Sequence, residues 1–181
     1  SVNPNNIHFV GNTMIDTLYN NAHRFKKPAF WVELSMQSKA YFVLTIHRQS
    51  NISDAETISN ILNTVSEAAG DTLVIFPSHP HTAKMISDFK ITIPENVYMT
   101  EPLGYLEFNY LVKNAKAVVT DSGGISEETT IMNVPCMTLR DNTERPETCI
   151  LGTNMLLGNS SENILSAFQL LNEGHWQLGR N

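Results

Sequence analysis

Short apolar runs rich in β-branched residues alternate with longer amphipathic stretches along most of the chain, and this alternation restricts the fold more than any other feature. Residues 40–46 form a nearly continuous apolar run, which is typical of a parallel strand that is covered on both faces. Residues 53–69 follow with a helical pattern, in which Ile58, Leu62 and Val65 lie on one apolar stripe. This part of the chain is therefore predicted to be a strand followed by a helix that packs against it.

The same alternation continues towards the end of the chain. Further strands are predicted at residues 72–76, 97–99, 117–120, 134–139 and 155–157. Further helices are predicted from about residue 82, at residues 105–113, 125–132 and 160–171, and near residues 12–22. Strands and helices that alternate with short connections predict a parallel sheet wrapped by helices. Because such crossovers are right-handed, the expected fold is a three-layer, Rossmann-like α/β domain.

Local signals indicate where several of these elements end. Ser53 and Glu56 have the spacing of a capping box, so a helix is expected to begin at Ser53, and Gly70 is expected to end it. From Gly174 onwards the chain has no clear pattern and is expected to fray. No internal repeat or linker divides the sequence, so residues 1–181 are predicted to form one domain.

Composition argues against several classes of partner and site. The net charge of −6 argues against nucleic acid, because binding to a phosphate backbone needs a basic face. No apolar run approaches the roughly 18 residues that a membrane span needs, and residues 1–4 have neither the basic nor the apolar region of a signal peptide. Cys136 and Cys149 lack metal-site spacing and are expected to be buried, reduced thiols, which points to a cytoplasmic protein.

The loop at residues 120–128 carries the strongest sign of a ligand site. A buried strand leads directly into Ser122, Gly123 and Gly124, and a helix is predicted immediately afterwards. Glycines let the backbone approach a ligand closely, and the free N–H groups of a first helical turn suit a diphosphate. Glu128, one turn into the helix, is placed to accept hydrogen bonds from a ribose diol. The alternative is a tight turn with capping residues and a solvated pair of glutamates.

A second loop, residues 140–147, contains two arginines and three carboxylates directly after a predicted strand. Arginine can bind a phosphate through two parallel hydrogen bonds, so Arg140 and Arg145 suit an anionic ligand. In a parallel sheet this loop lies beside the Ser-Gly-Gly loop, at the edge where ligands bind. A mixed charge run is otherwise simply a solvated surface.

Two further loops place a histidine at the carboxyl end of a strand. His47 and Arg48 follow one strand, and His79 follows another. A single histidine in such a place is more often a hydrogen-bonded structural residue than a catalyst, but the pair of loops with a neighbouring arginine strengthens the case for a functional cluster. No carboxylate accompanies His79 and His81 at ligand spacing, so no metal site is predicted. No nucleophile-elbow motif is present, which argues against nucleophilic hydrolysis.

Taken together, these loops resemble the signature of the non-hydrolysing UDP-N-acetylglucosamine 2-epimerases. The matching segments are Val-Val-Thr-Asp-Ser-Gly-Gly-Ile-Ser-Glu-Glu at residues 118–128, Leu-Arg-Asp-Asn-Thr-Glu-Arg-Pro-Glu at residues 139–147, Thr-Ile-His-Arg at residues 45–48 and Pro-Ser-His-Pro at residues 77–80. Residues 10–16 resemble the segment that joins the two domains of that family. Motifs of this length in the same order are specific, and the resemblance covers nearly the whole chain.

The resemblance implies one half of the glycosyltransferase-B architecture, in which two Rossmann-like domains hold a UDP-sugar between them. Residues 1–181 would be the C-terminal domain, and an N-terminal domain carrying the carboxylates that handle the C2 proton would be its partner. The implied reaction converts UDP-GlcNAc to UDP-ManNAc by elimination of UDP to a 2-acetamidoglucal and re-addition of UDP, without a cofactor or a metal. A homodimer is also implied, with neither nucleic acid nor a membrane among the partners.

The resemblance also assigns roles to single residues. Six positions match residues that bind UDP: Ser122, Gly123, Gly124, Glu128, Arg145 and Phe108. The serine, the glycines and the glutamate would hold the diphosphate and ribose, the arginine would bind the phosphates, and the phenylalanine would lie near the uracil. His47 matches a catalytic or substrate-contacting histidine. Arg48 and His79 match positions that contact a second, regulatory UDP-sugar in bacterial members.

Four other functions remain open on the sequence. The nearest is a hydrolysing epimerase, but the paired Arg140 and Arg145 favour the non-hydrolysing branch. A glycosyltransferase of the same architecture would keep a nucleotide-sugar half of this shape, because a fold alone does not determine function. A single domain of this size could also be a UDP-binding module with no activity of its own. An NAD-binding domain is the least favoured, because the G-x-G-x-x-G fingerprint is absent.

Overall fold

The computed structural model describes residues 3–8 and 10–179 of the predicted domain, and residues 1, 2, 9, 180 and 181 lie outside this description. A parallel sheet of six strands runs through it, in the spatial order β3-β2-β1-β4-β5-β6. The strands are β1 (Tyr41–Thr45), β2 (Leu73–Pro77), β3 (Val97–Thr100), β4 (Ala117–Thr120), β5 (Cys136–Thr138) and β6 (Asn154–Leu156). This order is that of the Rossmann fold, so the predicted fold class is confirmed.

Helices cover both faces of the sheet. They are α1 (Thr13–Asn21), α2 (Phe30–Glu33), α3 (Gln49–Ile52), α4 (Ala55–Ala69), α5 (Pro80–Asp88), α6 (Tyr105–Asn114), α7 (Gly123–Ile131), α8 (Pro146–Ile150) and α9 (Ser161–Asn172). Single 3₁₀ turns lie at Pro4–Asn6 and Ala22–Arg24. In the described residues no helix is long and apolar enough to cross a membrane.

The strands are buried on both faces, and alternate residues supply two separate cores. Phe42 and Leu44 of β1 point into one core, which α4 and α9 close, and the ring of Phe42 lies 4.8 Å from that of Phe168. Tyr41 and Val43 point into the other core, with α2 and α6. Alternate residues of each strand therefore face opposite sides of the sheet, and the apolar stripes of the helices pack against both sides. The result is the three-layer arrangement that the sequence predicts.

Several helix ends differ from the prediction. Asp54, and not Ser53, caps α4, because its side chain accepts a hydrogen bond from the N–H of Thr57 at 2.8 Å. The hydroxyl of Ser53 instead donates to the Asp54 carboxylate. Gly70 ends α4 as predicted, with a φ of 58° that favours glycine. Helix α7 begins at Gly123, so its two glycines form the first helical turn and do not precede the helix.

The chain after α9 is ordered through residue 179, and the predicted fraying from Gly174 is wrong for the described part of this segment. The indole of Trp176 is buried, and its Nε1 donates to the carbonyl of Thr153 at 2.8 Å. The side-chain Nε2 of Gln177 donates to the carbonyl of Gly152 at 2.7 Å. A buried aromatic residue with a satisfied N–H thus anchors a segment that has no secondary-structure pattern.

Candidate functional site

The candidate site lies where the order of the strands reverses. The chain leaves β1 towards β2 on one side and reaches β4 on the other, so a crevice opens between the carboxyl ends of β1 and β4. Open α/β sheets bind their ligands at such a point. The loop after β1 carries His47 and Arg48, and the loop after β4 carries Ser122. The structure thus brings together two of the four loops singled out from the sequence.

Asp121 joins these two loops. Its side chain is fully buried, and Oδ2 accepts hydrogen bonds from the backbone N–H groups of His47 at 2.9 Å and Arg48 at 2.8 Å, and from Nδ2 of Asn51 at 3.1 Å. The Nε of Arg48 donates back to the Asp121 carbonyl at 2.8 Å. The sequence motif predicts only a tight turn at Asp121, because the residues that it binds lie on a loop that is distant along the chain.

The same carboxylate orients the ring of His47. Nδ1 of His47 lies 2.9 Å from Oδ1 of Asp121. Within the described residues this oxygen has no other partner, so it is satisfied when Nδ1 carries a proton. A neutral His47 then has an unprotonated Nε2, which can accept a proton or a hydrogen bond. Half of the His47 side chain is exposed, so the ring is accessible from the crevice.

Among the described residues, the side chain of Ser122, which precedes α7, makes no capping hydrogen bond to its first turn. The N–H of Ser122, the N-cap residue, donates to Oγ1 of Thr120. A Cβ on Gly123 would lie 3.2 Å from Nη1 of Arg140, and a Cβ on Gly124 would lie 2.7 Å from Cε of Met14. A side chain at position 123 would therefore crowd the Arg140 guanidinium, whereas one at position 124 would displace only the flexible end of Met14.

The two arginines after β5 have different environments. The Arg140 side chain is only 6% exposed, and its Nη2 pairs with Oε1 of Glu144 at 2.8 Å. This hydrogen bond lowers the pKa of Glu144 to about 2. Arg145 is 50% exposed, and its Nε donates to Oε1 of Glu127 on α7 at 2.8 Å, which raises the pKa of Arg145. Of the two guanidinium groups, that of Arg145 is the accessible one.

Glu128 faces a small cleft between α1, α6 and α7. Its Oε1 accepts a hydrogen bond from the hydroxyl of Tyr105 at 3.2 Å. Burial raises the pKa of Glu128, and burial together with the nearby carboxylate raises the pKa of Tyr105 to about 12. The cleft has a volume of about 210 Å³ and is also lined by Met14. Phe108, one turn after Tyr105, packs half-buried against the α2–α6 core.

His79 has a local structural role. It is the N-cap of α5, and its Nδ1 accepts a hydrogen bond from the N–H of His81 at 3.2 Å. Its ring centroid lies 6.4 Å from that of His47, so the loops after β1 and β2 also meet. Among residues 3–8 and 10–179 no group of three or more His, Cys, Asp or Glu side chains is placed to hold a metal ion. Both cysteines are free thiols; Cys136 is buried, whereas Cys149 is only half-buried.

Known proteins share both the sequence and the fold. A family model for UDP-N-acetylglucosamine 2-epimerase matches residues 1–180. The UDP-N-acetylglucosamine 2-epimerase of Methanococcus maripaludis is 39% identical over 94% of this chain and 50% of its own length. The same enzyme of Methanocaldococcus jannaschii is 39% identical over 94% of this chain and 49% of its own length. The chain spans about half the length of the relatives it matches.

Solved structures agree with these matches. The M. jannaschii UDP-GlcNAc 2-epimerase in complex with UDP-GlcNAc and UDP has a TM-score of 0.82 at 38% identity, over 94% of this chain and 49% of that one. The Neisseria meningitidis UDP-GlcNAc 2-epimerase bound to UDP-GlcNAc has a TM-score of 0.77 at 33% identity, over 95% of this chain and 48% of that one. The glycosyltransferase VinC in complex with dTDP, at 15% identity and a TM-score of 0.57, shares the fold alone. The chain belongs to the UDP-N-acetylglucosamine 2-epimerase family.

Proposed function

We propose that this chain is the UDP-binding half of a UDP-N-acetylglucosamine 2-epimerase, with residues 1–181 as its C-terminal domain. The uncapped first turn of α7 at the β1–β4 crevice is the observation that carries the proposal, because its N–H groups are free to bind a diphosphate. Arg145, held by the same helix through Glu127, adds an accessible cation beside it. The relatives that span twice this length support an N-terminal domain as the partner.

In this proposal each group binds a part of UDP that suits its chemistry. Ser122, Gly123 and Gly124 hold the diphosphate at the helix N-terminus, where the helix dipole contributes about 0.3–1 kcal/mol. Arg145, whose guanidinium is accessible, binds the phosphates through its Nη groups. Glu128 accepts hydrogen bonds from the ribose hydroxyls. Phe108 lies near the uracil.

The remaining groups act on the sugar and on regulation. His47, whose ring Asp121 orients, contacts the reacting sugar, while Arg48 and His79 contact a second UDP-sugar. The helix N-terminus and the arginine stabilise the charge that grows on the leaving diphosphate when UDP is eliminated. The carboxylates that move the C2 proton come from the N-terminal domain, so we expect this chain alone to bind UDP without epimerising it. The whole enzyme acts on UDP-GlcNAc as a homodimer.

Titration of the ¹⁵N-labelled chain with UDP tests the nucleotide site. UDP is expected to shift the amide resonances of residues 122–128 and to saturate in the millimolar range or below, a binding free energy of about −4 kcal/mol or better. NAD is the control ligand and is expected to leave these resonances unchanged. Arg145→Ala is expected to weaken UDP binding. If UDP at several millimolar shifts none of these amides, the chain is not a UDP-binding domain.

A second experiment tests the reaction. The chain joined to its N-terminal domain is incubated with UDP-GlcNAc in D₂O. Epimerisation removes the C2 proton and eliminates UDP, and re-addition of UDP with deuteration at C2 then forms the 2-epimer carrying deuterium at C2. Transfer of the sugar to an added acceptor, with no deuterium at C2, would assign the protein to the glycosyltransferases instead.

A further inference from the structure

We infer that Glu127 is a positioning residue that couples α1 to Arg145, so that the seating of α1 sets the placement of the arginine at the phosphates. This role deepens the proposed UDP-binding function and rests on it. Glu127 lies in the middle of α7, one residue before Glu128, and its side chain is only 10% exposed. Buried carboxylates are rare unless they are fully hydrogen-bonded, so its partners define what it does.

Glu127 has one partner for each oxygen. Oε1 accepts from Nε of Arg145 at 2.8 Å, and Oε2 accepts from Nδ2 of Asn12. Along the sequence, Asn12 lies 115 positions before Glu127, and Arg145 lies 18 positions after it. A single rigid carboxylate on α7 therefore fixes the relative position of the α8 N-terminus and the start of α1.

Asn12 links this contact to α1 as a whole. It is the N-cap of α1, and its Oδ1 accepts from the N–H groups of Met14 at 3.0 Å and Ile15 at 3.3 Å. The amide side chain thus uses its oxygen to cap one helix and its nitrogen to bind Glu127 on another. Met14 adds a second contact between these helices, because Cε fills the space beside Gly124. A shift of α1 must move Asn12 and, with it, the Glu127 carboxylate.

The contact with Arg145 orients the guanidinium without saturating it. An arginine has five N–H donors in a fixed plane, and Glu127 takes the one on Nε. Within the described residues, neither Nη atom of Arg145 makes a hydrogen bond, and the side chain is 50% exposed. The two Nη groups are therefore free to bind a phosphate in a plane that Glu127 defines. Without Glu127 the long side chain would sample many rotamers before binding.

Binding of UDP and of uridine to the present chain separates positioning from folding. Uridine lacks the phosphates, so it reports the nucleoside part of the site alone. Glu127→Ala is expected to bind UDP roughly tenfold more weakly and uridine with unchanged affinity. Glu127→Gln, which can still accept one hydrogen bond, is expected to have a UDP affinity between those of the unaltered chain and Glu127→Ala. A purely structural role would weaken both ligands together or neither.

A double-mutant cycle tests the coupling itself. Asn12→Ala is expected to weaken UDP binding several-fold in the otherwise unchanged chain and to have no effect when Glu127 is already alanine. Glu147→Gln is the matched control, because Glu147 is an exposed carboxylate whose charge also acts on Arg145. It removes one negative charge beside the arginine and is expected to leave UDP affinity unchanged.

The outcomes distinguish this inference from the proposed function. If UDP binds and Arg145→Ala weakens it, but Glu127→Ala does not, the positioning role is wrong and the UDP site stands. An equal effect of Asn12→Ala with and without Glu127 would equally refute the coupling. If the unaltered chain does not bind UDP, the proposed function and the positioning role are both overturned.

Discussion

Asp121 shows how one side chain can hold together the loops that border the crevice between β1 and β4. Its buried carboxylate accepts two hydrogen bonds from the loop after β1 and one from Asn51 of α3, and it lies 2.9 Å from the ring of His47. Truncation to alanine removes the acceptor of two partly buried backbone N–H groups and leaves the buried Asn51 amide with only the Leu139 carbonyl; an unsatisfied buried group costs about 1–3 kcal/mol. We therefore expect Asp121→Ala to lower the free energy of unfolding by about 3–5 kcal/mol, measured by urea denaturation.

Asp88→Asn provides the comparison for this measurement. Asp88 pairs with Lys84 on the exposed face of α5, and such surface pairs contribute about 0–1 kcal/mol. An Asp121→Ala variant that is no less stable than Asp88→Asn would show that the loop after β1 keeps its shape without the buried carboxylate.

Glu128 is expected to contribute less to the free energy of unfolding at neutral pH than near pH 4. Burial raises its folded pKa, so between the unfolded and the folded pKa the native state binds more protons than the unfolded state. The stability contributed by the protonated carboxyl is complete below the unfolded pKa of about 4.3 and is lost as the pH rises through the folded pKa. Glu128→Gln removes this titration, so the variant should gain stability relative to the unaltered chain across that window.

Urea denaturation of both proteins at several pH values between about 4 and 7 measures this difference. The Tyr105 hydroxyl lowers the pKa of Glu128 through its hydrogen bond. Tyr105→Phe should therefore raise the folded pKa of Glu128 and extend to higher pH the range over which Glu128 titrates. A constant difference between Glu128→Gln and the unaltered chain at every pH would contradict the role of burial.

Among the helices, α7 shows how packing can override local preference. Glycine disfavours a helix by about 1 kcal/mol relative to alanine, yet two glycines form the first turn of α7. A Cβ at position 123 would approach Arg140, whose guanidinium is buried, to 3.2 Å. We expect Gly123→Ala to lower the free energy of unfolding by about 1–2 kcal/mol, despite the better helix propensity of alanine.

Gly104→Ala is the matched substitution at the start of α6. A Cβ there would lie 3.8 Å from its nearest neighbour, which is an ordinary contact. Thermal and urea unfolding of the two variants should therefore differ, with Gly104→Ala within about 0.5 kcal/mol of the unaltered chain. Equal stability of the two would mean that Arg140 moves aside freely.

The elements that the sequence predicts well are those with a strong local signal. The apolar strands and the stripe of α4 are all found, because periodicity reports burial directly. The five-residue α8 begins inside the loop predicted at residues 140–147 and continues through residues for which no element is predicted, since so short a helix shows no period. The contacts of Asp121 with the His47 loop span 74 positions and depend on β4 lying beside β1. Sequence motifs thus locate the site loops but not the carboxylate that joins them.

At the scale of the whole molecule, the segment after α9 closes one core. Trp176 is 8% exposed and packs with the cluster that contains Phe168. We expect Trp176→Ala to lower the free energy of unfolding by about 3–5 kcal/mol, as for other large buried side chains. Leu178→Ala, at a position that is 59% exposed, is the control and should change it by less than about 0.5 kcal/mol. Calorimetric melting of the two variants measures the contrast.

The anchoring of this segment has a consequence during synthesis on the ribosome. Gln177 donates to the carbonyls of Cys149, Ile150 and Gly152, so it holds the end of α8, the helix that starts beside Arg145. A nascent chain cannot make these contacts until the stretch around Trp176 has left the exit tunnel, after β1 to β6 have all emerged. The end of α8 therefore gains these contacts only after the sheet has been synthesised, and a stalled chain that exposes only the sheet would still lack them.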